Sequence, residues 1–271
     1  MTRNEFSDFR PRDVWALGVA YEPYVGRWSR LVAQQFIEWL AVPAGRRWLD
    51  VGCGTGALTQ MILRNAAPGH VHGIDAAADY LDFARQQTAD ARATFQLGDA
   101  QKLPVDTATF QATVSGLMLN FLPRPEQAVA EMARATQAGG VVAAYVWDYG
   151  GRMQFMRHFW NAAIAHDPVA AALDEGMRFP LCRPDALAVL FQVAGLSRVE
   201  TGAIDIWTVF RDFDDYWSPF LGGQGPAPSY VSTLDETARA ALRERIRAAL
   251  PFARDGSIPL MARAWTVRGI R

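Results

Sequence analysis

The segment Trp48 to Thr59, WLDVGCGTGALT, constrains this chain more than any other. A short apolar run, Arg47 to Val51, leads into three alternating glycines, Gly52, Gly54 and Gly56. Helical spacing follows over Ala57 to Arg64. Strand, glycine turn and helix together open a βαβ unit. Glycine is needed where the backbone turns with positive φ, or where a ligand must touch the main chain. The helix N-terminus beyond offers unpaired N–H groups to a polar or anionic ligand. Alone, the turn is ambiguous. Gly52-x-Gly54-x-x-Ala57 also satisfies the relaxed dinucleotide fingerprint, and a turn serving only tight strand–helix packing is a third reading.

The same rhythm continues to Trp147. Strands are predicted over Val71 to Ile74, Ala93 to Leu97, Phe110 to Ser115 and Val141 to Trp147. Helices are predicted over Tyr24 to Leu40, Asp79 to Thr88 and Pro125 to Thr136, the last capped by Gly139-Gly140. Alternating strands and helices imply an α/β fold with a doubly wound parallel sheet, covered on both faces. Beyond Trp147 the pattern changes. Gly151 to His166 and Asp185 to Ala194 read as helices, with an irregular stretch to Pro184 between them. Val199 to Phe210 and Pro259 to Val267 read as strands, and Phe213 to Leu221 and Thr233 to Leu250 as helices. Gly222 to Ser229, with its glycines and prolines, reads as a loop.

Composition narrows the function. The 271 residues are half apolar and 20% charged, enough for a sizeable core in one large domain. A net charge of −1 with no basic run argues against a nucleic-acid or anionic-membrane binder. Lys102 is the only lysine, between Gln101 and Leu103, so no phosphate-binding Gly-Lys-Ser/Thr loop exists. A Tyr-x-x-x-Lys catalytic pair would need tyrosine at position 98, which is Gly98. Cys53 and Cys182 give no disulfide framework and no metal spacing. His70 and His72 could form a metal pair, but an exposed turn entering a strand accounts for them, and no metal is expected. The polar start, MTRNEFSDFRPRD, does not read as a signal peptide, so none is expected, and Ala135 to Trp147 is too short to span a bilayer. A soluble cytoplasmic protein, monomer or homodimer, is expected.

Three acids refine the glycine turn. Asp50 sits in the first strand, two residues before Gly52. A carboxylate there disfavours a pyrophosphate and suits an ammonium. Asp75 follows the second strand, 19 residues after Gly56, where an acid can accept both hydroxyls of a ribose. Asp99 follows the third strand, where a carboxylate can accept from an adenine amino group. All three stand at strand C-termini, the ligand-binding edge of open α/β sheets. Together they fit a ligand with a cation, a ribose and an adenine.

The supporting segments are Asp50-Val51-Gly52-Cys53-Gly54-Thr55-Gly56, Gly73-Ile74-Asp75, Gly98-Asp99-Ala100-Gln101-Lys102-Leu103-Pro104 and Gly116-Leu117-Met118-Leu119-Asn120-Phe121. On these the chain resembles class I S-adenosylmethionine-dependent methyltransferases, particularly small-molecule enzymes related to the quinone C-methyltransferases. The likeness covers about Arg27 to Trp147 well. It implies a mostly parallel, seven-stranded Rossmann-like sheet with a late antiparallel strand and helical lid insertions. It also implies S-adenosyl-L-methionine as cofactor, with the methionine part against Asp50, Gly52, Gly54, Thr55 and Gly56. Asp75 falls to the ribose, Asp99 and Ala100 to the adenine, and Leu117 and Met118 to the strand-four wall, with Ala76 a further cofactor contact. Tyr21-Glu22-Pro23-Tyr24-Val25-Gly26-Arg27-Trp28 resembles the segment closing over the cofactor in such enzymes. Tyr21 or Tyr24 would cover the methionine end and Arg27 would pair with its carboxylate.

The expected organisation is one domain: a helical cap over 1–44, a cofactor-binding core over 45–147, and an acceptor-side lid with the remaining strands over 148–271. The acceptor is expected to be a small, apolar or aromatic molecule, methylated by in-line displacement. The nucleobase-methylating motif, Asn/Asp-Pro-Pro-aromatic after strand four, is absent; Gly116-Leu117-Met118-Leu119 stands there. Trp207, Phe210, Phe213, Tyr216, Trp217 and Phe220, with Phe155, Phe159 and Trp160, either build an apolar lid or pack the appended helices onto the sheet. Asn120, Trp147, His158 and Trp217 are candidate acceptor contacts. Asp148, Tyr149, His158 and His166 are candidate bases, with none decisive. A nicotinamide-dependent oxidoreductase and a non-catalytic cofactor-binding protein on the same fold are the alternatives.

Overall fold

The computed structural model describes residues 27–222 and 225–271. Seven strands form one sheet in the order β3-β2-β1-β4-β5-β7-β6. They are β1 (Arg47–Val51), β2 (His70–Asp75), β3 (Ala93–Leu97), β4 (Phe110–Gly116), β5 (Thr136–Trp147), β6 (Ser197–Phe210) and β7 (Ile258–Ile270). The first five are parallel. β7 runs antiparallel between β5 and β6. β1 is buried almost throughout, as a central parallel strand covered on both faces must be. β7 alternates buried and half-buried residues.

The flanking helices are α1 (Arg27–Leu40), α2 (Ala57–Asn65), α3 (Ala78–Gln87), α4 (Pro125–Ala135) and α5 (Gln154–His166). They continue as α6 (Glu175–Arg178), α7 (Pro184–Val193), α8 (Phe213–Trp217), α9 (Pro226–Thr233) and α10 (Glu236–Ala249). α1 buries Trp28, Val32, Phe36, Ile37 and Leu40, a stripe at helical spacing. None of the described helices is long and apolar enough to cross a membrane.

Three local expectations are corrected. Gly139-Gly140 does not cap α4. The helix ends at Ala135, where the Thr136 hydroxyl donates to the Met132 carbonyl at 2.7 Å. The glycines fall instead in an irregular stretch of β5, between the Phe110–Thr136 and Ala112–Val141 pairings. A Cβ on Gly140 would lie 2.6 Å from the Thr136 methyl. Second, the stretch expected as a loop over 222–229 contains the start of α9. Pro226 and Pro228 lie in its first turn, where no intrahelical N–H is required. Third, the stretch before Pro184 holds a 3-10 turn, Pro168–Leu173, and α6.

The aromatic residues beyond β5 pack against one another as part of the one hydrophobic core. Phe159 stacks on Phe220 at 4.4 Å, and Phe155 packs against Phe220 and Phe210 at 4.7 and 5.3 Å. The Tyr216 hydroxyl donates to the Phe155 carbonyl at 2.8 Å. Trp217 stacks with Phe213 inside the same mass. Trp207 departs from the expected lid and is 62% exposed. Strand alternation turns Ile206, Thr208 and Phe210 inward and Trp207 and Val209 outward.

Candidate functional site

A cavity of about 420 Å³ opens at the C-terminal ends of β1, β2, β4 and β5. The glycine turn forms its floor. Gly52 and Cys53 both donate their N–H to the Ile74 carbonyl, at 2.8 and 3.0 Å, which ties the turn to the end of β2. Gly52 has φ +71°, and a Cβ there would lie 2.5 Å from Met118 Cγ. Gly54 has φ +52°, and its nearest neighbour for a Cβ is Tyr80 at 4.0 Å. Gly52 is therefore glycine because protein fills its side-chain space. Gly54 is glycine for its backbone conformation, and open space beside it leaves the main chain accessible to a ligand.

Two carboxyl groups stand at this floor. Asp50 is fully buried and lines the cavity. The Thr59 hydroxyl donates to its Oδ2 at 2.7 Å, while Oδ1 has no partner. Burial raises the Asp50 carboxyl from an ordinary 3.8 to about 7, against the hydrogen bond from Thr59. A buried acid with one empty acceptor position fits a cationic group arriving beside it. Asp75 accepts N–H groups from Gly54 at 2.8 Å and Ala77 at 2.9 Å, one on each oxygen. Burial raises its carboxyl too, and these backbone donors hold the shift down. Each oxygen retains a second lone pair for a hydroxyl donor.

The walls are apolar. Leu117 and Met118 line the cavity beyond β4, with Leu117 at φ +61°. Tyr145, Trp147 and Tyr149 line it from β5 and its extension, at alternate positions as a strand face requires. Thr55 and Ala76 also line it. Gly56 has φ +84° and starts α2 just behind the cavity.

Other sequence candidates lie elsewhere. Asp99 is exposed and accepts from the Gln101 N–H at 2.8 Å; neither it nor buried Ala100 lines the cavity. Arg27 is bonded to Asp215 at 3.0 Å and sandwiched between the Trp28 and Phe210 rings at 4.4 and 4.7 Å. Tyr21 and Tyr24 fall outside the described residues. Asn120 is buried with both amide atoms unpartnered, outside the lining. His158 and His166 are half-buried on α5 and Trp217 belongs to the aromatic core, all away from the lining. Burial lowers the His158 pKa. Tyr149 lines the cavity and Asp148 a neighbouring one. Among the described residues no group of three or more His, Cys, Asp or Glu could hold a metal. His70 and His72 are instead tied to the Thr94 hydroxyl, at 2.9 and 2.7 Å.

Ser29, Tyr80 and Tyr145 line the cavity without having been singled out as site residues. The alternation Tyr145, Trp147, Tyr149 was a usable signal for the third. Ser29 and Tyr80 carried none, because their position depends on helix packing.

The sheet order and the strand-end cavity are those of a Rossmann-like domain. The family described as "Methyltransferase domain" matches residues 49–144. Over 180 residues the chain is 33% identical to a 2-phytyl-1,4-naphtoquinone methyltransferase of Thermosynechococcus vestitus, covering 62% of this chain and 79% of that one. It is 29% identical over 147 residues to a chloroplastic 2-methyl-6-phytyl-1,4-hydroquinone methyltransferase of Oryza sativa, covering 52% of this chain and 42% of that one. Among solved structures, a Haemonchus contortus phosphoethanolamine N-methyltransferase with S-adenosylhomocysteine superposes with a TM-score of 0.56 at 15% identity, over 93% of this chain and 56% of that one. The chain belongs to the class I S-adenosylmethionine-dependent methyltransferases. It is an enzyme with S-adenosylmethionine as cofactor, and the nicotinamide alternative is set aside.

Proposed function

We propose that this enzyme transfers the methyl group to a small apolar or aromatic acceptor by in-line displacement. The observation that carries the reading is the contrast inside one cavity: two carboxyls and a bare glycine backbone at one end, an aromatic wall from Tyr145, Trp147 and Tyr149 at the other. The quinone substrates in the relatives' names agree with an aromatic acceptor.

Asp50 holds the ammonium of the donor through its unpartnered Oδ1, and Asp75 takes the ribose hydroxyls while its remaining lone pairs stay bonded to the turn. Gly52, Gly54, Thr55 and Ala76 contribute backbone and close packing, with Leu117 and Met118 against the donor's flat face. Asp99 and Ala100 stand at the end of β3 outside the lining of the cavity, so they meet the adenine only where the donor extends beyond it. The bound cofactor supplies a methyl on a sulfonium, already carrying a good leaving group. The protein's part is therefore alignment of the acceptor atom and exclusion of water, which the aromatic wall provides. No residue is assigned as base. Residues 45–147 hold the donor and 148–271 shape the acceptor side of the same domain. Two buried, unpaired cysteines suit a reducing, cytoplasmic compartment, and the near-neutral charge suits a small acceptor over nucleic acid.

The test is a thermal-shift panel of S-adenosylmethionine, S-adenosylhomocysteine and NAD, followed by a methylation screen over quinols, phenols and nucleic acid. At ligand about 100-fold above its dissociation constant, roughly 2.7 kcal/mol of stabilisation is expected from the sulfur nucleosides alone. Product formation only with polar or nucleic-acid acceptors overturns the acceptor class.

A further inference from the structure

Beyond Trp147 successive residues serve two different cavities. Tyr149 lines the donor cavity, whereas Asp148, Gly150 and Gly151 line a second cavity of about 290 Å³. Phe179 stands between them. Its ring meets Phe121 edge-on at 5.1 Å and Tyr149 at 5.7 Å, both lining the donor cavity, while Phe179 itself lines the second. The partition is firmly mounted on the turn of α6. Asp174 accepts the Gly176 N–H at 2.8 Å and pairs with Arg157 at 2.5 Å. The buried Glu175 carboxyl accepts the Trp160 indole N–H. On the wall of the second cavity, Asp148 is only 8% exposed. Its Oδ2 accepts the Arg152 N–H at 2.9 Å, and no side chain among the described residues donates to it.

The donor cavity, at about 420 Å³, is near the small end of what one ligand occupies. Methyl transfer needs two molecules at once. An acceptor of more than one ring must therefore reach neighbouring space, and the second cavity lies one side chain away.

We propose that the acceptor site continues past Phe179 into this second cavity. Phe179 sets the length of acceptor the enzyme takes, and Asp148 receives a hydroxyl or amino hydrogen at the acceptor's far end. The inference rests on the reading of the first cavity as the methyl-transfer site.

The experiment uses the full chain saturated with S-adenosylhomocysteine. Two series are titrated by calorimetry: 4-alkylphenols from methyl to octyl, and the same phenols with a terminal hydroxyl on the alkyl chain. In the parent protein, affinity rises with chain length and then stops rising. In Phe179→Ala the break moves to longer chains and the octyl member binds at least roughly tenfold tighter, as a few further buried methylenes would give. Asp148→Asn reduces the preference for the terminal hydroxyl by about tenfold. Phe179→Leu, a milder trim, shows the same direction and serves if the alanine variant melts below the assay temperature. An unchanged length profile, a uniform loss across the series, or no phenol binding to either protein overturns the proposal. S-adenosylhomocysteine affinity, titrated beforehand on the ligand-free proteins, is expected to stay within about twofold in the variants. Its absence in the parent protein is the separate failure of the donor-site reading.

Discussion

Two buried carboxyl groups show how differently the two halves of this molecule use polarity. Asp50 lies at the glycine turn, with an unpartnered oxygen beside an open cavity. Glu175 lies against the aromatic mass on α6, sealed behind Trp160. Burial raises both, Asp50 to about 7 and Glu175 to about 8. The first has an acceptor oxygen still unpartnered, the position we propose for the donor's ammonium. The second has its donor already and anchors the partition that carries Phe179. A buried acid is thus a functional signal only where its missing partner can come from outside.

The comparison breaks most easily at Trp147, which belongs to both halves. It is 1% exposed yet lines the donor cavity. Trp147→Ala is expected to lower stability by about 3–5 kcal/mol and to change acceptor turnover, with cofactor affinity within about twofold. Denaturant melts and cofactor titrations on the one variant read both. A large stability loss with normal turnover in the folded fraction would remove Trp147 from the acceptor wall.

Glu175→Gln tests whether that acid serves only the fold. Its folded pKa of about 8 lies above the ordinary 4.5, so the folded protein binds this proton more tightly than the unfolded chain. Its contribution to stability is complete below pH 4.5 and is lost as pH rises through 8. Glutamine keeps an acceptor for Trp160 and carries no charge. The variant should gain on the parent progressively with pH, by about 4 kcal/mol between pH 5 and pH 9. Melting curves from pH 5 to 9 decide it, and a constant difference across that range counts against a buried, protonated Glu175.

Gly54→Val places a branched side chain at φ +52° in the open space of the cavity. Cofactor affinity should fall on the order of 100-fold, with far-UV circular dichroism nearly unchanged. Asp75→Ala leaves the Gly54 and Ala77 N–H groups without their acceptor and removes the proposed ribose contacts. Affinity should fall at least roughly tenfold in calorimetry. The smallest effect is the pH dependence of donor binding. Asp50 must be ionised to hold an ammonium, so affinity should climb as pH rises toward about 7 and turn down where the ammonium loses its own proton, roughly at pH 8. In Asp50→Asn that climb should disappear; a climb that survives assigns the titration to another group.

How much of this was legible in the sequence depends on the distance over which each feature is decided. Turn, strand and helix around Gly52 to Gly56 are written within a dozen residues, because positive φ and amphipathic spacing are local properties. The parallel sheet followed from strand–helix alternation, which leaves few ways to cover both faces. Gly139-Gly140 misled because a glycine pair after a helix ordinarily marks its cap, while Thr136 had already ended α4 through its own hydroxyl.

From its sequence alone this protein was committed to a doubly wound sheet, to a glycine turn at the end of β1, and to acids at three strand ends. Only the tertiary structure decided which of those groups share a cavity. It left Asp99 outside, gave Arg27 to Asp215, and turned Trp207 to solvent while packing Phe210 inward. It also placed Phe179 between two cavities, beside Phe121 and Tyr149 from distant parts of the chain. The physical reason is that backbone conformation is chosen by neighbouring residues. The partner of a side chain is chosen by whatever the packed fold brings within reach, and no local pattern encodes that.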